Sequence, residues 1–197
     1  MNKYMNLIGI KARKASARKI NTKIKNKVLN NYADLLVKEK KSILRENIKD
    51  VKFAEKKGLK ENLINRLRIN ERNLKDIENS INKISKLKDP VNIILEKWNR
   101  PNGLNISRVS IPIGVMGVIY ESRPNVTSDV SGLCFKSGNA VILKGGSEAI
   151  NTNRILAKLF RKALKKNKVD ENFIQFIDSK ERKMVDIMLS KMKDYID

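Results

Sequence analysis

The sequence predicts an α/β fold: a run of charged amphipathic helices followed by a parallel β-sheet. Three observations carry that reading. Ile111 to Tyr120 and Ala140 to Leu143 are short apolar runs separated by a helix-length segment, the second bounded by Gly138-Asn139 and Gly145-Gly146. Two such strands with a helix between them are what a parallel β-α-β unit requires. Before Lys88, apolar residues recur at three- and four-residue steps, the period of helices with one buried face. Finally, the residues just past the two strands are the most chemically loaded in the chain: Glu121-Ser122-Arg123-Pro124-Asn125 and Lys144-Gly145-Gly146-Ser147-Glu148. Ligands of open parallel sheets sit beyond the carboxyl ends of the strands, so these clusters form the candidate site.

Each element has its own signal. Val28, Leu29, Tyr32, Leu35 and Leu36 mark the buried face of one helix. Ile43, Leu44, Ile48 and Val51 continue an apolar stripe, with Gly58 as the stop. Leu63, Ile64 and Leu67 form a shorter face. Asn70 caps a further helix lined by Leu74, Ile77, Ile81, Ile84 and Leu87, and Asp89-Pro90 ends it. Arg100-Pro101-Asn102-Gly103 is a turn, after which Leu104, Ile106 and Val109 near-alternate as a hairpin strand leading into the sheet. Ser147 caps a helix with Ile150, Ile155, Leu156, Leu159, Phe160 and Ala163 inside. The last turns of that helix carry Arg161, Lys162, Lys165 and Lys166, as the helix dipole favours. Phe173 to Ile177 reads as a third strand. Asp178 or Ser179 then caps a helix with Val185, Met188, Leu189 and Met192 turned inward. Tyr195-Ile196-Asp197 opens another apolar segment, the expected start of a further strand in an incomplete sheet.

Composition narrows the function. The 197 residues, 41% of them apolar, suit one ordinary domain. No apolar run approaches the ~20 residues of a membrane span, and the N-terminus lacks the apolar core of a secretory signal; no membrane partner is expected. The single Cys excludes an internal disulfide framework and fits a reducing cytoplasm. With no His at all, His-based metal sites and Ser-His or Cys-His pairs are excluded. A net charge of +22 raises nucleic-acid binding. Yet Lys, Asn and Ile are abundant from end to end, aromatics are scarce at 5%, and no nucleic-acid-binding signature accompanies the charge. The charge therefore reads as compositional drift, with a basic nucleic-acid binder as the alternative class and no specific nucleic acid expected as partner.

The stretch RVSIPIGVMGVIYESRPNVTSDVSGLCFKSGNAVILKGGSEA resembles the corresponding segment of the γ-glutamyl phosphate reductase (glutamate-5-semialdehyde dehydrogenase) family, within the aldehyde dehydrogenase superfamily. The similarity extends over nearly the whole chain. IYESRPNVT followed by KSGNAVILKGGSEA is specific to this branch. The resemblance implies a Rossmann-like parallel sheet of the aldehyde dehydrogenase type, truncated here. Residues 1–100 would be the helical part of the cofactor domain, 101–110 an oligomerisation strand and 111–197 an incomplete NADP-binding part, with the catalytic domain absent. It further implies NADPH-dependent reduction of L-glutamate 5-phosphate to L-glutamate 5-semialdehyde and phosphate in proline biosynthesis, a homo-oligomer, and glutamate 5-kinase as the partner that supplies the labile acyl phosphate. An aldehyde dehydrogenase with another acyl substrate is the neighbouring alternative.

The same resemblance assigns roles. Asn125, after Pro124 in the loop beyond the first strand, takes the oxyanion-hole position. Tyr120, Glu121, Ser122 and Pro124 would lie under the nicotinamide half of the cofactor. Lys144, Gly145, Gly146, Ser147 and Glu148 would meet the adenosine ribose and its phosphate. Glu148 beside a 2′-phosphate would repel it, so its pose separates NADPH from NADH, and the family implies NADPH. Arg123 either grips a substrate carboxylate or phosphate, or pins its loop by a salt bridge. Cys134, between Leu133 and Phe135, reads as a small core residue. The family's nucleophilic Cys comes from a later segment without a counterpart here, so the chain alone is expected to be inactive.

Overall fold

The computed structural model describes residues 3–197. Five helices come first: α1 (Lys3–Ser16), α2 (Thr22–Lys38), α3 (Lys40–Lys56), α4 (Glu61–Leu67) and α5 (Glu71–Lys86). A two-stranded antiparallel ribbon follows, β1 (Ile94–Asn99) and β2 (Asn105–Val109), with Trp98 opposite Ile106. The remainder alternates: β3 (Val115–Ile119), α6 (Pro124–Lys136), β4 (Ala140–Lys144), α7 (Ile150–Lys166), β5 (Ile174–Phe176) and α8 (Lys183–Lys191). Strands β3, β4 and β5 form a parallel sheet in that order, with β4 central and buried along its whole length. Helices α2, α5, α6 and α7 pack against one another, while α1 lies against the strands. Tyr32, Phe135, Phe160 and Phe173 stack at the centre of the core.

Most helical expectations hold. Asn70 accepts from the Asn73 N–H, and Asn73 reciprocates to the Asn70 N–H, so a full capping box starts α5. Gly58 follows α3 with φ +68°, the left-handed turn that lets the chain leave the helix. Four inward assignments fail: Ile48, Leu63, Leu87 and Leu189 are 54%, 43%, 52% and 73% exposed. On α3 the buried line is Ile43, Asn47, Asp50 and Ala54, so two polar residues occupy the face assigned to Ile48.

Those two polar residues tie the helical half to the sheet half. Asp50 accepts from the Asn151 and Thr152 backbone N–H groups at 3.2 and 2.7 Å, from Asn151 Nδ2 at 2.8 Å and from Thr152 Oγ1 at 2.6 Å. It thereby caps α7 from another helix. A carboxylate at the positive end of a helix, satisfied by four donors, can stay buried at little cost. Asn47 accepts from the Ile69 N–H and donates to the Leu67 carbonyl and to Thr152 Oγ1. Ser147, expected to cap α7, instead opens a 3₁₀ turn over Ser147–Ala149, and its hydroxyl donates to Glu148. Asp178 and Ser179 do not cap α8, which starts at Lys183. Asp178 is drawn to the Arg154 guanidinium, which donates to it twice, at 2.6 and 2.7 Å.

Two of the three strands of the parallel sheet, β3 and β5, are shorter than the apolar runs suggest. Pro112 and Gly114 break the first run, leaving Ile111 and Ile113 77% and 64% exposed. The expected hairpin strand exists, but its partner is Ile94–Asn99, and the ribbon stays separate from the parallel sheet. Its root is held by Lys25, buried on α2, which donates to Asp89 at 2.9 and 3.0 Å. At the far end, the Asp197 N–H donates to the Val115 carbonyl on the outer edge of β3. Asp197 also accepts from Arg13 and from the Val115 N–H. The apolar segment at Tyr195-Ile196 packs against the core beside it.

Two outcomes follow for stability. Asp50→Ala strands the donors at the start of α7 and should cost about 3 kcal/mol in urea unfolding. Burial pushes the Asp89 carboxyl up, but hydrogen bonds from Lys25, Thr22 and the Val91 N–H bring it below its ordinary 3.8. Its contribution is therefore complete above that value and is lost as pH falls through the depressed one. Asp89→Asn should be less stable than the parent near pH 6, with the gap closing as the pH falls below 3.8 in pH-resolved denaturation.

Candidate functional site

Strands β3 and β4 end side by side, Ile119 opposite Lys144, so both chemically loaded clusters emerge at the same edge of the sheet. The two loops touch. The Tyr120 N–H donates to the Lys144 carbonyl, and Ser122 Oγ donates to Glu148 Oε2 at 2.9 Å. A Cβ on Gly146 would lie 2.1 Å from Ser122 Oγ, and one on Gly145 would lie 2.3 Å from Asn153 Nδ2. Any side chain at either position would push the loops apart, which is the physical reason for the glycine pair.

Behind the loops runs a buried polar chain that the sequence did not reveal. Tyr120 OH and Thr127 Oγ1 are 2.7 Å apart, and Thr127 Oγ1 lies 2.9 Å from Asn153 Oδ1. Burial raises the Tyr120 phenol to about 12, against the smaller opposing effect of its bond to Thr127. Asn153 is fully buried, and its Nδ2 has no hydrogen-bond partner among the described residues. An orphaned amide pressed against the glycine turn is an unusual expense in a core.

Lys144 is buried, and its ammonium donates to the Gly145 carbonyl at 2.8 Å. Burial lowers its pKa, partly offset by the Glu148 charge. Burial pushes the Glu148 carboxyl up, but hydrogen bonds from Ser147, its own N–H and Ser122, with the Lys57 charge, leave it below the ordinary value. Each carboxylate oxygen of Glu148 thus holds a serine hydroxyl, Ser147 at 2.7 Å and Ser122 at 2.9 Å.

Asn125 lies in the first turn of α6, directly after Pro124, whose fixed φ suits that position. It is exposed, and among the described residues its amide makes only a long 3.4 Å contact with Asp129. Pro124 and Asn125 line a cleft of about 360 Å³ between α4, α5 and α6. Arg123 is turned to Glu121 at 3.2 Å, and the same Glu121 oxygen is 3.4 Å from Arg66. Of the sites expected from the sequence, Tyr120, Ser122 and Gly145–Glu148 come together. Asn125 faces the separate cleft, and Arg123 closes on its own loop. A larger cavity of about 1060 Å³ lies elsewhere, along α1, α3 and α7. Several of its cations are already paired within it, Arg154 with Asp178 and Lys165 with Glu171.

No family model matches the chain. Curated relatives do: it is 45% identical over 195 residues to the γ-glutamyl phosphate reductase of Caldanaerobacter subterraneus subsp. tengcongensis, covering 96% of this chain and 47% of that protein. The crystal structure of the γ-glutamyl phosphate reductase from Thermotoga maritima superposes with a TM-score of 0.94 at 37% identity, over 98% of this chain and 47% of that one. The Rhodopseudomonas palustris propionaldehyde dehydrogenase and an engineered glycolyl-CoA reductase with bound NADP⁺ share the fold alone, each at TM-score 0.68, with 13% and 14% identity over 98% of this chain and 40% of theirs. The chain is therefore a homologue of the γ-glutamyl phosphate reductases along nearly its whole length, with the aldehyde dehydrogenase type of fold, and it spans about half the length of the curated relatives it matches.

Cys134 packs against the core, and burial pushes its thiol up to about 11. A thiol of ordinary pKa 9.0 would carry roughly 100-fold more thiolate near neutral pH. Iodoacetamide should accordingly label the native chain at least that much more slowly than the unfolded chain at the same pH, read by mass spectrometry.

Proposed function

We propose that this chain, as a homologue of the γ-glutamyl phosphate reductases, supplies the dinucleotide-holding and oxyanion-holding part of a reductase. That enzyme would convert L-glutamate 5-phosphate to L-glutamate 5-semialdehyde and phosphate, a step of proline biosynthesis. One observation carries the reading beyond homology: the glycine turn after β4 is pressed against Ser122 and Asn153, beside a buried ammonium that donates, among the described residues, to a single carbonyl oxygen. An ammonium has three donors, and one this desolvated gains most from an anionic ligand.

The residues present fit NADPH. Gly145 and Gly146 let the strand-tip loop seat on Ser122 and Asn153, which holds it in place beside Lys144. Lys144 would hold the ribose hydroxyl or 2′-phosphate, with Ser147 beside it. Glu148, whose carboxylate is held by two serine hydroxyls, would oppose a 2′-phosphate beside it, so the preference for NADPH over NADH rests on the family resemblance. Tyr120, Glu121, Ser122 and Pro124 would border the nicotinamide half; when bound, the cofactor supplies the hydride. Asn125 would donate its amide to the oxyanion that develops on the acyl carbon. Its weak contact with Asp129 leaves it free to do so at small cost. The salt bridge to Glu121 favours Arg123 as a pin of its loop over a substrate grip.

Chemistry on an acyl phosphate needs a thiolate, which Cys134 is too buried to be; the nucleophile would come from outside these residues. The exposed ribbon, with Leu95, Trp98 and Leu104 on its surface, suits a second copy of the chain as partner. A kinase would deliver the short-lived substrate, and the cytoplasm would supply the cofactor.

By calorimetry the chain should bind NADPH more tightly than NADH, and Lys144→Ala should weaken NADPH about tenfold, roughly 1.4 kcal/mol. The 197 residues alone should form no semialdehyde from glutamyl phosphate and NADPH. Turnover that disappears in Cys134→Ser would overturn the assignment of that thiol to the core.

A further inference from the structure

The cleft beside Asn125 is built mostly by the helical half of the chain, and charges of both signs line it. Arg66 and Arg68, from the end of α4 and the residue after it, supply the positive charges. Asp76 of α5 and Asp129 of α6 supply the negative ones. Neither arginine is firmly held. Arg66 reaches Glu121 at 3.4 Å and Arg68 reaches Glu55 at 3.5 Å, and all four side chains are about half exposed or more. Exposed pairs at that distance contribute little, so both guanidinium groups can turn to a better acceptor. Asp129 accepts from Ser80 at 2.7 Å, which fixes its carboxylate while leaving lone pairs for another donor.

We propose that this cleft recognises the α-amino-acid end of the substrate, the arginines taking the α-carboxylate and the two aspartates the α-ammonium. The acyl end is thereby left at Asn125. This rests on the reductase reading above and adds to it the residues that select an amino acid. The charge pattern suits a zwitterion better than a plain dicarboxylate, because an anion with no ammonium would leave two carboxylates facing nothing positive. Guanidinium groups are the natural partners of a carboxylate, binding it through two parallel N–H donors. A volume of about 360 Å³ accommodates a five-carbon amino acid.

The test is binding to the full chain, read from the side-chain amide signals of Asn125 and Asn73 by NMR. The probes are L-glutamate, glutarate, which lacks the ammonium, and 4-aminobutyrate, which lacks the α-carboxylate. L-Glutamate should bind at least tenfold more tightly than either. Arg68→Ala should weaken L-glutamate about tenfold, and Arg68→Lys by less. Asp76→Asn should weaken L-glutamate while leaving glutarate unchanged. Equal binding of the three probes, parental affinity in the variants, or no shift at Asn125 with any probe would each overturn the proposal. NADPH affinity of the unaltered chain, measured alongside, reports on the strand-tip reading separately: intact NADPH binding with indifferent L-glutamate binding sinks only the cleft, and loss of both sinks the reductase reading as well.

Discussion

The geometry of the site depends on one buried carboxylate. Asp50 projects from α3 and accepts from the first N–H groups of α7, helping to fix where that helix begins. The 3₁₀ turn immediately before it carries Ser147 and Glu148, so the position of Glu148 is set from behind by a helix roughly a hundred residues earlier in the chain. Asn47, one turn earlier on α3, joins the same Thr152 hydroxyl to the backbone at Leu67 and Ile69. The strand-tip loop and the floor of the cleft are therefore referenced to a single helix. Helical half and sheet half are one structural unit, because neither can set its own part of the site alone.

Much of this architecture was legible in the sequence, and the exceptions share a cause. The capping box at Asn70, the stop at Gly58 and the strand at Ala140 are local signals, written in residues adjacent to what they control. The α3 face was misread at Ile48 because its buried line includes Asn47 and Asp50, and a search for apolar periodicity passes over polar residues that are satisfied by distant partners. Ser147 failed as a cap for the complementary reason: Asp50 already performs that task from another element. Strand β1 escaped notice because all six of its residues are exposed, so it has no buried alternation to display. Of the site, the strand-tip clusters stood out as runs of loaded residues. Thr127 and Asn153 did not, since nothing in a helix sequence shows which hydroxyl will face which amide.

The site divides its labour along the fold. The sheet end offers glycine turns and a desolvated cation, features that tolerate a large ligand with repeated phosphate chemistry. The helical end offers discrete charges on three different helices, features that discriminate among small molecules. Asn125 sits where the two meet, in the first turn of α6, and the same helix contributes Thr127 to the buried chain behind the glycine turn. A shift of α6 would therefore move the amide and the strand-tip loop together.

The outer edge of β3 carries a further consequence. Among the described residues Asp197 bonds to it only at Val115, so most of that strand presents unsatisfied backbone to its surroundings. Such an edge invites a neighbouring molecule to add a strand. Against this stands the +22 charge, whose repulsion between copies reaches about 10 Å at 0.1 M salt and contracts to about 3 Å at 1 M. The repulsion that the lysine excess sets up between copies therefore fades in concentrated electrolyte.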